Sequence, residues 1–119
     1  MIDHVEIQTR DVETVARFYA SVLAPLGYTL QVDGAAKGFG AGSSLDFFIV
    51  EGDPSSRVHY AFQAPARAVV NAVYEEAGKQ GFALDRPPAL APHIHPNYYA
   101  GYLRDPDGRL VEFVCHNAE

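Results

Sequence analysis

The chain has 119 residues, 48% of them apolar, and nine basic against fifteen acidic side chains give a formal charge of −6. That length and composition suit one compact domain with a real core and exclude a disordered chain. An acidic chain with no basic cluster predicts no nucleic acid partner and no anionic membrane surface.

The sole cysteine, Cys115, leaves no internal disulfide and points to a reducing cytoplasm. Asp3, His4 and Glu6 interrupt any leader-like opening. No apolar run approaches the ~20 residues that span a bilayer.

Ile2 to Gln8 alternates and predicts a strand, with His4, Glu6 and Gln8 on one face and Val5 and Ile7 on the other. Asp11 caps a helix whose apolar stripe is Val12, Val15, Phe18, Tyr19, Val22 and Leu23. Pro25 and Gly27 end it. Tyr28 to Val32 is a strand, Gly34 to Gly42 holds four glycines and a short strand around Phe39, and Leu45 to Val50 is a strong strand. The glycines are no phosphate loop, because no Gly-Lys-Ser/Thr follows them. Glu51 to Arg57 is a polar connector.

The pattern then restarts. Val58 to Gln63 predicts a strand, Pro65 fits a first helical turn, and Val69, Val70, Val73, Tyr74 and Ala77 form the next apolar stripe, ended by Gly81. Phe82 to Asp85 is a short strand and Arg86 to Pro96 a Pro-rich loop with His93 and His95. Asn97 to His116 predicts a hairpin turning on Asp105-Pro106-Asp107-Gly108.

A shift of 55 residues lays His4 on His59, Gln8 on Gln63, Val15 on Val70 and Tyr19 on Tyr74. Leu45-Asp46-Phe47-Phe48 resembles Val111-Glu112-Phe113-Val114. The chain therefore reads as a duplicated β-α-β-β-β unit, modules 1–52 and 57–117 of a single domain 1–119. The expected class is α+β, with the two modules forming a cupped mixed β-sheet.

In each module the first strand turns its histidine away from the helix-facing side. Glu112 sits in the middle of an otherwise apolar strand, where a lone carboxylate is costly to bury. Two imidazoles and a carboxylate lining one cavity suit a divalent first-row metal with open positions. His4, His59 and Glu112 are thus the expected metal ligands, with Asp46, the repeat partner of Glu112, as a fourth. His95 is the candidate proton-transfer residue, from a Pro-flanked loop that can aim it at the cup.

Plainer roles compete at each position. Strand histidines bond to neighbours, Glu112 pairs with Arg57 or Arg109, Asp46 is a hydrogen-bonded structural acid, and His93 and His95 sit in water. Tyr98, Tyr99 and Tyr102 are packing residues on this reading, and Cys115 is a small buried hydrophobe.

Asp3-His4-Val5, Arg17-Phe18-Tyr19 through Leu26-Gly27-Tyr28, Val58-His59-Tyr60-Ala61-Phe62, and Asp105-Pro106-Asp107-Gly108 through Val111-Glu112-Phe113 resemble the vicinal oxygen chelate superfamily. That group includes glyoxalase I, fosfomycin- and bleomycin-resistance proteins and extradiol dioxygenases. The resemblance implies paired βαβββ modules cupped around a divalent metal (Zn, Ni, Mn or Fe(II)), with ligands at His4, His59 and Glu112. It implies bidentate chelation of a substrate's adjacent oxygens, the metal acting as Lewis acid. It also implies a homodimer.

Where glyoxalase I carries a glutamate this chain has Asp46, and where that enzyme carries a basic residue it has Gln8, so lactoylglutathione lyase activity is not expected. The expected function is a metal-dependent lyase, isomerase or dioxygenase acting on a small molecule. The rival is a metal-free protein that sequesters a drug or metabolite.

Overall fold

A computed structural model describes residues 2–55 and 57–119. The first module runs β1 (Val5–Thr9), α1 (Val12–Leu23), β2 (Tyr28–Asp33), β3 (Lys37–Ala41) and β4 (Phe47–Glu51). The second repeats it as β5 (His59–Gln63), α2 (Arg67–Gln80), β6 (Leu84–Leu90), β7 (Tyr99–Arg104) and β8 (Leu110–Cys115). Each module forms a four-stranded mixed sheet, ordered β1-β4-β3-β2 and β5-β8-β7-β6. In both, the first and last strands pair in parallel and the remaining pairs are antiparallel. The α+β class and the twin βαβββ modules are as the sequence predicts.

Local chemistry explains the elements. Asp11 accepts the Thr14 amide at 3.2 Å and the Thr14 hydroxyl at 2.7 Å, which supplies partners for the first turn of α1. Val15, Phe18, Tyr19, Val22 and Leu23 make its buried stripe. Gly81 closes α2 at φ 78°, a left-handed angle that glycine adopts without steric cost. Gly40 has a different reason: a Cβ there would stand 1.6 Å from the Ser44 carbonyl oxygen.

The hydrophobic core lies on the helix side of both sheets and is shared by the modules. Phe18 meets Phe82 at 4.9 Å between ring centres, and Phe47 meets Tyr60 and Phe62 at 5.7 and 5.4 Å. A buried polar knot reinforces this seam. Asp105 accepts the Arg109 guanidinium at 2.8 Å and the Tyr19 hydroxyl at 2.7 Å. Arg109 also donates to the Gln8 carbonyl in the other module. The Asp-Pro-Asp-Gly turn is therefore structural: Asp105 folds the turn through the Arg109 amide and ties the halves together.

Several boundaries differ from the sequence reading: β4 begins at Phe47 rather than Leu45, and α2 begins at Arg67, so Pro65 precedes the helix instead of entering its first turn. β1 begins at Val5, so His4 precedes the strand. β6 continues through Pro87 and Pro88 to Leu90, where a loop is expected from Arg86 onward. Prolines are tolerated there because β6 is a sheet edge, and its pairing with β7 is irregular between Arg86 and Ala89. His93 and His95 lie beyond it, in the connection to β7.

Candidate functional site

Strand alternation in β8 puts Glu112 on the face away from the helices, opposite Ala61 of β5 and Tyr102 of β7. The residue is 4% exposed, so its carboxylate needs partners. His59 Nε2 lies 3.1 Å from Oε1, and the Tyr98 hydroxyl donates to Oε2. The other imidazole nitrogen, Nδ1, lies 3.0 Å from the Leu110 carbonyl oxygen. A carbonyl can only accept, which assigns the Nδ1 proton and directs Nε2 toward the carboxylate.

With Nδ1 protonated, a neutral His59 would set the Nε2 lone pair against a carboxylate oxygen, which is repulsive. A second proton on the ring, or a cation held jointly by Nε2 and Oε1, resolves this. Donor atoms at about 2.0–2.2 Å from a common metal lie about 3 Å from each other. The backbone carbonyl on Nδ1 and the phenol on Oε2 are the outer partners that orient such ligands. His59 and Glu112 therefore fit a metal as a two-donor half-site.

The other expected ligands do not join them. Among the described residues, no three His, Cys, Asp or Glu side chains are grouped to hold a metal ion. His4 bonds Asp3 at 2.8 Å and lies edge-on to Phe48, with ring centres 5.6 Å apart. Asp46 accepts the Tyr28 hydroxyl at 2.8 Å. His4, Asp46, Tyr28, Tyr60 and Phe62 line a cavity of about 220 Å³ between the modules. Among the described residues, His4 and Asp46 therefore line a cavity apart from the His59–Glu112 pair within one chain.

The repeat partnership of Asp46 with Glu112 is corrected by the strand register. Strand β1 pairs Glu6 with Phe48, as β5 pairs Ala61 with Glu112. The structural counterpart of Glu112 is Phe48, two residues beyond Asp46. The two strands share parity, which is why the shifted match keeps Asp46 on the same face.

His95 stands beside this centre without touching Glu112. Its ring stacks on His116 at 4.7 Å and meets Tyr98 edge-on at 5.2 Å. The Asn97 amide donates to Nδ1 at 3.3 Å, which leaves the proton on Nε2 for the bond to His116 Nδ1. His95 thus reaches Glu112 through Tyr98.

Sequence reasoning missed Tyr98 and Tyr102 as site residues. The signal existed: pairing Arg104 with Leu110 across the turn brings Tyr102 opposite Glu112. Tyr102 also stacks with His59 at 6.5 Å and carries Arg86 over its ring. Burial, then the bond to Glu112, raises the Tyr98 hydroxyl pKa above its ordinary value, and burial followed by the Glu112 charge raises that of Tyr102. Both phenols stay protonated at neutral pH, and Tyr98 serves as the donor to Glu112.

The glyoxalase/bleomycin resistance protein/dioxygenase superfamily model matches residues 1–113. The chain belongs to that superfamily. A glyoxalase/bleomycin resistance protein from Albidiferax ferrireducens is 21% identical, with TM-score 0.78 over 96% of this chain and 97% of that one. A lactoylglutathione lyase from Agrobacterium tumefaciens is 21% identical, with TM-score 0.69 over 97% and 92%. The fosfomycin resistance protein FosX from Mesorhizobium loti is 23% identical, with TM-score 0.70 over 96% and 90%. At these identities the likeness to each is one of fold. No curated protein matches the chain. Among the described residues of this superfamily member, no helix is long and apolar enough to cross a membrane.

Proposed function

We propose that the protein is a divalent-metal-dependent enzyme of the glyoxalase-like superfamily, acting on a small molecule with adjacent oxygen groups. A lyase, isomerase or dioxygenase reaction belongs to this reading, and lactoylglutathione lyase activity does not. The observation that carries it is the 3.1 Å approach of His59 Nε2 to Glu112 Oε1, with His59 Nδ1 occupied by a carbonyl.

His59 and Glu112 hold the metal, Zn, Ni, Mn or Fe(II), which when bound polarises the substrate's oxygens as a Lewis acid. Tyr98 donates to Oε2 and fixes the carboxylate's orientation. His95 and His116 pack against Tyr98 and position it, and His95 is the group through which a substrate proton is exchanged. His4 and Asp46 complete the donor set from the first module of a second copy, so a homodimer is part of the proposal. A cytoplasmic setting is also part of it, supported by the unpaired Cys115.

One observation favours the metal-free, ligand-sequestering reading: Phe48 replaces a carboxylate at the position equivalent to Glu112. Calorimetric titration of chelator-treated protein with Zn²⁺, Ni²⁺, Mn²⁺ and Fe²⁺ separates the two. The enzyme reading expects binding that falls at least about tenfold in His59→Ala, a loss of roughly 1.4 kcal/mol. Equal titrations of wild type and variant, or no binding of any of these ions, would overturn it in favour of the sequestering protein.

A further inference from the structure

We propose that the outer face of the second sheet recognises a small organic acid, an apolar body bearing a carboxylate, and that Arg86 reads the charge. This rests on the Glu112 centre being the functional site, because Tyr102 belongs to both.

A cavity of about 330 Å³ opens there, lined by Arg86, Leu90, His93, Ile94, Ala100 and Tyr102 among others. Small-molecule sites span roughly 300–1,000 Å³, so a ligand of about one ring fits. Leu90 and Ile94 are 48% and 51% exposed, apolar surface left in water that such a ring would cover.

The charge at its rim is positive. Asp85 accepts from Arg86 Nε at 3.2 Å and from Arg104 Nε at 3.1 Å, so one carboxylate faces two guanidinium groups. The Arg86 guanidinium carbon lies 3.8 Å from the centre of the Tyr102 ring, which holds the group against that face. Its Nε is committed to Asp85, while its terminal nitrogens have no protein partner among the described residues. A planar fork anchored on one side and open on the other matches the two oxygens of a carboxylate. The oxygens of Glu112 are engaged by His59 and Tyr98, so Glu112 takes no hydrogen bond from the Arg86 fork. Tyr102 pairs directly with Glu112 across β7 and β8, so the cavity adjoins that centre.

The test compares phenylacetate with phenylacetamide, equal in size and different in charge, by NMR titration of the chelator-treated protein. Saturable phenylacetate binding is expected to shift the Ala89, Ala91 and Ala100 methyl signals, with phenylacetamide at least about tenfold weaker. Arg86→Gln should weaken phenylacetate to the level of the amide, and Arg86→Lys should restore part of the difference. Equal binding of the two probes, unchanged phenylacetate binding in Arg86→Gln, or no shift at these alanines would overturn the proposal. Because no metal is present, failure of the metal reading leaves this outcome untouched.

Discussion

Phe48 occupies in the first module the place that Glu112 occupies in the second, on the same face and the same strand of the repeat. One half therefore offers a histidine with an aromatic ring, and the other a histidine with a carboxylate. Phe48→Glu would restore the symmetry beside His4, whose ring already lies 5.6 Å from that of Phe48. A glutamate is smaller than the ring it replaces, which packs over Gly38. Calorimetry should find the divalent metal affinity raised at least about tenfold. An unchanged titration would show that His4 takes no part in binding.

Much of this was readable in the residues. The duplicated modules followed from the 55-residue shift, because strand and helix periods repeat with it. His59 and Glu112 were legible because β5 and β8 are neighbours in one sheet and each strand's alternation is strict. His4 was not, because its distance from them depends on how two separate sheets sit side by side, which no local pattern encodes. The role of Asp105 was hidden for a similar reason: its turn was plain, but its partner Tyr19 lies 86 residues away.

Tyr98→Phe removes the donor to Glu112 Oε2 and keeps the ring that packs on His95 and His116. Outer-partner losses at metal sites typically cost 10–100-fold in affinity or activity, and a fall of about that size is expected here. The fold should be retained, as near-ultraviolet circular dichroism would report. A metal affinity equal to wild type would remove Tyr98 from the site.

Asp105→Ala leaves Arg109, 1% exposed, without its main counter-charge and Tyr19 without its acceptor. Breaking a buried ion pair from one side costs about 3–5 kcal/mol, a large part of a small domain's stability. Urea unfolding should show a loss of that order. Replacing Asp53, whose pair with Arg10 is exposed on both sides, should move the midpoint little. Equal effects of the two substitutions would mean that the Asp105 knot does not hold the modules together.

The tyrosines make stability sensitive to alkali. Burial, followed by the bond to Asp46, pushes the Tyr28 hydroxyl up to about 12 from an ordinary value of 10. Burial likewise raises Tyr19, Tyr60 and Tyr98 above their ordinary range. Each fold-raised pKa means that the native state holds a proton which the unfolded chain releases first. The stabilisation is therefore complete below about pH 10 and is lost as the pH rises through the folded value, about 12 for Tyr28. Urea unfolding at steps across this window should show a steadily falling stability, with phenolate absorbance appearing late in the native state. Tyr28→Phe should make the decline shallower between about pH 10 and 12, because that group no longer titrates. A decline as steep in the variant as in wild type would mean that burial and the bond to Asp46 do not raise the Tyr28 hydroxyl in solution.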